Sequence, residues 1–176
     1  MNHGRVPVSC GILLAALLGC SDGPPLTAPA PGAGAGGARP DALAGPAVTA
    51  VDGARIGGAD REPHNWLSHG RTYSEQRFSP LDRIDTANVG RLGLAWSFDF
   101  PTDRGMEATP IVVDGRMYVS STWSMVYAFD AKTGAPLWHH DPQVPRAWAV
   151  HLCCDAVNRG VAVWKGKVFV GTLDGR

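Results

Sequence analysis

The chain has 176 residues with 16 basic and 16 acidic side chains, so its formal net charge at pH 7 is zero. A protein without excess positive charge lacks the basic character typical of nucleic-acid binding, and no nucleic-acid partner is expected. The length allows one domain, and 44% of the residues are hydrophobic. Of the 22 glycines and 14 prolines, about half lie in residues 1–58, the first third of the chain, so the composition is not uniform.

Residues 1–20 have the pattern of a secretory signal peptide. A weakly basic start precedes the apolar stretch "GILLAALL", which is shorter than the about 20 residues that span a bilayer. "LLGC", ending at Cys20, resembles the lipobox of bacterial lipoproteins. That resemblance implies cleavage before Cys20, acylation of its thiol and attachment to a membrane surface. The alternative is an ordinary signal peptide with a chance cysteine. Ser21 after the cysteine favours the outer membrane.

Residues 21–58 form a low-complexity segment rich in Pro, Ala and Gly. Such a segment buries too little apolar surface to offset its ordering entropy, so a disordered linker is predicted. The ordered domain is predicted over residues 59–176.

The pattern of that domain predicts strands and turns, and no amphipathic helix. A strand is expected at Leu92–Phe98. "ATPIVVDGRMYVSST" predicts two strands joined at Asp114–Gly115, because Asp-Gly is a strong hairpin signal. "SMVYAFDAKTGAPLWHHD" predicts a second such unit around a turn at Lys132–Gly134.

An internal repeat supports a particular all-β architecture. "VDGRMYVSST", from Val113, aligns with "WKGKVFVGTL", from Trp164, at an offset of 51 residues. "NVGRLGLAW" and "KTGAPLWHH" form a weaker match that brings Trp96 near Trp138 in the alignment. Antiparallel strands repeating every 40–50 residues or so predict propeller blades. A β-sandwich with similar hairpins is the alternative.

"AFDAKTGAPLW", residues 128–138, resembles the tryptophan-docking motif of quinoprotein propellers. Asp130 and Thr133 can bond the amides of the turn, and Gly134 permits a positive φ. Trp138 offers a flat surface that can lie between neighbouring blades. The motif indicates the fold and carries no chemistry of its own.

Two cysteines stand next to each other near the end of the chain. Cys10 would leave with the signal peptide and Cys20 would carry lipid, so Cys153 and Cys154 have no other partner within the chain. They can pair with each other, pair between chains or stay free. Adjacent Cα atoms are about 3.8 Å apart, whereas an ordinary disulfide spans about 4.4–6.8 Å.

"CCDAVNRG", residues 153–160, closely resembles a segment of pyrroloquinoline quinone (PQQ)-dependent alcohol dehydrogenases. The resemblance implies a vicinal disulfide between Cys153 and Cys154 that stacks on the PQQ ring as a rigid plate. It also implies that Arg159 binds the cofactor, and a guanidinium suits the carboxylates of PQQ. The alternatives are two buried thiols acting as small hydrophobes and a surface ion pair of Arg159 with Asp155.

Two further segments carry the same resemblance. "GMEATPIVVDG", residues 105–115, is similar to the first blade of the family, where the residue matching Glu107 hydrogen-bonds the cofactor. A solvated loop carboxylate is the alternative. "NWLSHGRTYSEQRFSPLDRI", residues 65–84, is similar to the family's mature N-terminal region. The histidines match no zinc pattern.

The resemblance implies an eight-bladed β-propeller of which this chain holds the beginning and ends within the second blade. In the family, the Ca²⁺ ligands, the catalytic aspartate and the aromatic residue on the other face of PQQ lie further on, so no catalytic residue or metal ligand is assigned here. A chain of this extent is expected neither to fold stably nor to turn over substrate alone.

The implied parent protein is a lipid-anchored periplasmic dehydrogenase that uses PQQ and Ca²⁺ to oxidise small alcohols. Its electrons pass to cytochrome c or to a membrane quinone, and a fused haem c domain is compatible with the sequence. A non-catalytic propeller lipoprotein that serves as an outer-membrane assembly scaffold is one alternative, and a PQQ-dependent sugar dehydrogenase is another. Glu107 and "CCDAVNRG" favour the alcohol dehydrogenase.

Overall fold

The computed structural model describes residues 49–176. Four strands form one antiparallel sheet in chain order, namely β1 (Ile111–Val113), β2 (Arg116–Ser120), β3 (Val126–Asp130) and β4 (Pro136–His140). A second sheet pairs β5 (Ala162–Trp164) with β6 (Lys167–Phe169). The α-helix in this part of the chain, α1, covers Gly53–Gly57, and short 3-10 turns lie at Ala59–Arg61, Val89–Arg91, Thr122–Ser124 and Arg146–His151.

Two hairpins use the same turn geometry. Asp114 and Gly115 have φ values of 49° and 77°, and Lys165 and Gly166 have 47° and 75°. Two consecutive left-handed residues are the arrangement that matches the twist of antiparallel strands in a two-residue turn. The predicted strand–turn–strand unit and its repetition 51 residues later are therefore both confirmed.

The β3–β4 turn is organised by one carboxylate, as the sequence predicted. Asp130 accepts hydrogen bonds from the Thr133 amide (2.8 Å), the Thr133 hydroxyl (2.9 Å) and the Lys132 amide (3.0 Å). These bonds, from Thr133 first, hold the pKa of Asp130 below its usual range. Gly134 takes a φ of 73° and donates to the Asp130 carbonyl at 2.9 Å.

The tryptophan that packs onto this turn is Trp96. Its ring lies so close to Gly134 that a Cβ there would sit 2.5 Å from Cδ2, and its Nε1 donates to the Ala131 carbonyl at 3.2 Å. Trp138 stays 38% exposed, with its ring centroid 6.0 Å from that of Tyr118. The docking interaction within the described residues thus joins the segment before β1 to the β3–β4 turn.

The prediction of a strand at Leu92–Phe98 is wrong. Residues 92–100 form no regular secondary structure and pair in no ladder of the described chain. Aromatic packing holds this segment instead. Phe98 lies 4.8 Å from Phe129 and Phe100 lies 4.9 Å from Tyr127 between ring centroids, both edge to face.

The ordered domain begins before residue 59, the boundary that the sequence predicted. Val51 is fully buried and Ile56 is 9% exposed, so both belong to the core. The Asp52 carboxylate caps α1 by accepting from the Arg55 amide at 2.8 Å. The low-complexity composition of residues 21–58 hid this start, because Val51 and Ile56 bury apolar surface and Asp52 stabilises the helix by capping it. Residues 1–48, with the predicted signal peptide, Cys20 and most of the predicted linker, lie outside the described residues.

An ion-pair network ties α1 to the first hairpin. The Arg55 guanidinium lies 2.7 Å from Glu62 and 2.5 Å from Asp114, and its side chain is 12% exposed. The hydrogen bond from Arg55 is the main cause that holds the pKa of Glu62 below its usual range. Burial opposes the charged form of Asp114, yet bonds from Arg55 and the Thr49 amide leave its pKa lowered as well.

Strands β1 to β3 bury side chains on both faces of the sheet, whereas β4 is largely exposed. One face packs against the segments around Val51, Leu67 and β5, and its own residues are Ile111, Val113, Tyr118, Val126 and Ala128. The other face packs against Phe98 and Phe100 through Val119, Tyr127 and Phe129. A four-stranded antiparallel meander followed by a copy of its first hairpin is the arrangement predicted for one propeller blade and the start of the next.

Candidate cofactor site

Glu107 and Arg159, which lie far apart in sequence, meet in front of β1. The Thr109 amide donates to the Arg159 carbonyl at 3.1 Å, and Thr109 pairs with Gly160 as an isolated parallel bridge. The Arg159 guanidinium then lies 3.3 Å from the Glu107 carboxylate. The structure thus brings together two of the predicted cofactor residues.

This ion pair is open to solvent and weak. The Arg159 side chain is 66% exposed and that of Glu107 is 45% exposed. Exposed ion pairs contribute about 0–1 kcal/mol, so little free energy opposes their rearrangement when a ligand arrives. The alternative prediction, an ion pair between Arg159 and Asp155, is wrong, because Asp155 pairs with Arg104 instead.

Cys153 and Cys154 are free, exposed thiols in this structure. They are not the buried thiols considered as an alternative, and the disulfide that the resemblance implies is not formed here, so it stays a prediction. A hydrogen bond with Cys153 raises the pKa of the Cys154 thiol, and Arg159 acts on it in the opposite direction. Cys154 therefore lies beside Arg159.

An open cavity adjoins Arg159. Its volume is about 580 Å³, within the range of small-molecule sites, and its lining includes Asn158, Gly160, Val161 and Phe169. Glu107, Cys153 and Cys154 do not line this cavity, but they lie beside Arg159 and complete a cluster of one guanidinium, one carboxylate and two polarisable sulfur atoms. Such a set can bind a flat organic anion by pairing its carboxylate with the guanidinium and packing sulfur on its face. In residues 49–176, no three His, Cys, Asp or Glu side chains are grouped closely enough to hold a metal ion.

Sequence reasoning missed the residues that fix this cluster in place. Asn158 makes hydrogen bonds to four different residues, and the Arg104–Asp155 ion pair holds the residue after Cys154. Trp123 adopts a φ of 61° in the β2–β3 loop and donates its amide to the Ala156 carbonyl at 2.9 Å. The one signal in the sequence was the Asn-x-Gly spacing of residues 158–160, which is typical of an Asx turn.

Comparisons with known proteins agree with this architecture. Residues 66–176 match the family model "PQQ: Glucose/ethanol/alcohol dehydrogenase, beta-propeller domain". The quinohemoprotein alcohol dehydrogenase ADH-IIG of Pseudomonas putida is 63% identical over 135 residues, which is 77% of this chain and 19% of that protein. The dehydrogenase subunit of an alcohol dehydrogenase (quinone) from Komagataeibacter europaeus is 58% identical over 118 residues, which is 67% of this chain and 16% of that subunit.

A solved structure gives the same result. The quinohemoprotein alcohol dehydrogenase ADHIIG from Pseudomonas putida HK5 matches with a TM-score of 0.69 and 63% identity, over 70% of this chain and 18% of that one. The predicted propeller fold is thereby confirmed. The chain spans less than a fifth of the length of these relatives.

Proposed function

Because the chain belongs to the glucose/ethanol/alcohol dehydrogenase family of PQQ propellers, we propose that the protein carrying it oxidises small alcohols with bound PQQ. The observation that carries this proposal is the convergence of Glu107 and Arg159 at 3.3 Å beside Cys154. Both relatives reported above are named alcohol dehydrogenases, which supports an alcohol rather than a sugar as the substrate.

Each residue of the cluster has a role in holding the cofactor. Arg159 would bind a PQQ carboxylate through its guanidinium. Glu107 would accept a hydrogen bond from PQQ or hold Arg159 in its binding orientation. Cys153 and Cys154, joined as a disulfide in the oxidising periplasm, would form a rigid plate against the flat ring. When bound, PQQ supplies the acceptor for the two electrons that leave the alcohol.

Calcium and the electron acceptor belong to the same proposal. The resemblance implies that Ca²⁺ accompanies PQQ, with its ligands and the catalytic aspartate outside this chain. One relative is named a quinohemoprotein and the other an alcohol dehydrogenase (quinone). These names support electron transfer to cytochrome c or a membrane quinone, and a haem c domain in the same protein.

Residues 1–20 support a periplasmic location with a lipid anchor at Cys20, at the outer membrane. None of the helices in residues 49–176 is long and apolar enough to cross a membrane. We expect Cys20→Ala to move the protein from the membrane fraction to the soluble periplasmic fraction, because acylation needs the thiol. Fractionation of cells that express the parent and the variant measures this. A parent protein that is already soluble would contradict the anchor.

A titration of the protein that carries this chain with PQQ tests the proposed function. In the presence of Ca²⁺ we expect saturable, stoichiometric PQQ binding, followed by reduction of an artificial electron acceptor that requires a small alcohol. Glucose oxidation without alcohol oxidation would indicate a sugar dehydrogenase. A folded protein that binds no PQQ would contradict the proposal and favour the scaffold function.

A further inference from the structure

Asn158, the residue before the predicted cofactor arginine, links β2 and the β2–β3 loop to the segment that follows β6. We infer that Asn158 is a positioning residue that sets Arg159 and the two cysteines at the geometry that PQQ binding needs. This inference rests on the proposed function, because it assigns a role toward the same cofactor. Neither the family resemblance nor the comparisons gave Asn158 a role.

The side chain of Asn158 uses its full hydrogen-bonding capacity. Its Oδ1 accepts from the Ser120 hydroxyl at 2.6 Å and from the Gly160 amide at 3.1 Å. Its Nδ2 donates to the Ser124 hydroxyl at 3.1 Å and to the Gly171 carbonyl at 2.9 Å. An amide has two donors and two acceptor positions, so each is engaged and the orientation of the group is fixed.

These bonds enclose Arg159. The contact from Asn158 Oδ1 to the Gly160 amide closes a turn with Arg159 at its centre, and the Arg159 carbonyl is held by the Thr109 amide. Gly160 has a φ of 139°, and a Cβ there would lie 3.1 Å from the Thr109 carbonyl oxygen, so glycine is required. The direction in which the Arg159 side chain leaves the backbone is therefore set by Asn158.

One partner of Asn158, Ser124, lies in the strained loop between β2 and β3. Trp123 and Ser124 have φ values of 61° and 60°, and Ser124 is fully buried. Residues other than glycine adopt this conformation rarely, and such strain is concentrated at functional sites. The loop uses both residues to hold the segment with the cysteines, since Ser124 binds Asn158 and the Trp123 amide binds the Ala156 carbonyl.

Arg104 completes the support on the side of the cysteines. Its guanidinium pairs with Asp155, the residue after Cys154, and lies 5.6 Å from the centroid of the Trp123 ring. Residues 155, 156 and 158 are thus each held by a group outside their own segment. Both ends of the segment from Cys154 to Arg159 are thereby fixed before a ligand binds. Such preorganisation raises affinity because less ordering remains to be done on binding.

The test uses Asn158→Asp in the protein that carries this chain, with Ca²⁺ present and PQQ itself as the ligand. A carboxylate keeps both acceptor bonds, but it loses the donors and places an oxygen against the Gly171 carbonyl. We expect PQQ binding to weaken about tenfold by calorimetry, which is the effect of losing roughly one to two hydrogen bonds. The absorption spectrum of bound PQQ at saturation should also differ from that of the parent.

Asn65→Asp is the matched control. Asn65 is 2% exposed and bonds Glu62, Asp114 and the Asp114 amide, so the substitution disturbs a comparable network at the opposite end of β1 from Glu107. It should lower the thermal unfolding midpoint, yet leave the PQQ dissociation constant within twofold of the parent and the spectrum unchanged. All dissociation constants are measured well below the unfolding midpoints.

The outcomes separate the inference from the proposed function. A parent protein that binds no PQQ overturns both. A parent that binds PQQ, with Asn158→Asp within twofold of it or no weaker than Asn65→Asp, overturns the role of Asn158 alone. If Asn158→Asp does not fold, Ser124→Ala decides, since it removes one bond of the amide. Binding at least threefold weaker than the parent then supports the inference, and unchanged binding overturns it.

Discussion

Replacing Arg159 with alanine should weaken PQQ binding on the order of a hundredfold. Among residues 49–176, the Arg159 guanidinium is the cation that both lines the cavity and contacts Glu107. Truncating one partner of a charged hydrogen-bonded pair that becomes buried on binding costs about 2–5 kcal/mol, and each 1.4 kcal/mol is about a tenfold change. Calorimetric titration of the protein that carries this chain with PQQ measures the effect directly.

Two further variants make that experiment specific. Arg159→Lys keeps the charge but loses the planar fork, so it should recover part of the affinity and not all of it. Arg91→Ala removes an exposed arginine from the 3-10 turn at Val89–Arg91, away from the cluster, and should leave PQQ affinity unchanged. If Arg159→Ala binds PQQ within twofold of the parent, Arg159 does not hold the cofactor. Full recovery in Arg159→Lys would show that charge alone matters.

The sequence predicted local turns better than long-range contacts. Asp114–Gly115 and Gly134 are found with the positive φ values that their residue types predict, because the preference is set by the residue itself and its immediate neighbours. The strand predicted at Leu92–Phe98 is absent since strand pairing depends on a partner that no local pattern specifies. The apolar residues of this segment suggested a strand in a sheet. In the structure they pack through side chains instead, as Phe98 does against Phe129.

In the candidate site, too, the sequence predicted the residues of local motifs but not the contacts between distant segments. Glu107 and Arg159 were found through motifs, but their contact at 3.3 Å follows from the backbone bond of Thr109 to Arg159, which joins segments 50 residues apart. Asn158 and Trp123 were missed because their importance comes from partners in other loops. A polar residue beside a motif carries no periodic signal, and its bonds can be read only once the chain has folded.

Gly134→Ala should reduce the free energy of unfolding by about 3 kcal/mol. A left-handed conformation costs a residue with a Cβ roughly 1–2 kcal/mol. The added methyl group would also lie 2.5 Å from Trp96 Cδ2, and overpacking of this kind costs typically 1–3 kcal/mol. The ring must move away, which also strains the bond from Trp96 Nε1 to the Ala131 carbonyl. Urea unfolding of the protein that carries this chain, followed by tryptophan fluorescence, measures the loss.

Gly115→Ala separates the two contributions. Gly115 has a φ of 77°, close to the 73° of Gly134, but no described atom lies within 4 Å of where its Cβ would be. Its substitution therefore carries the backbone cost alone and should reduce the free energy of unfolding by about 1–2 kcal/mol. The difference between the two variants isolates the packing of Trp96. Equal losses in both would mean that Trp96 does not dock on Gly134. A larger loss for Gly134→Ala, with a shifted tryptophan emission, would establish that the segment before β1 is held to the β3–β4 turn by this ring.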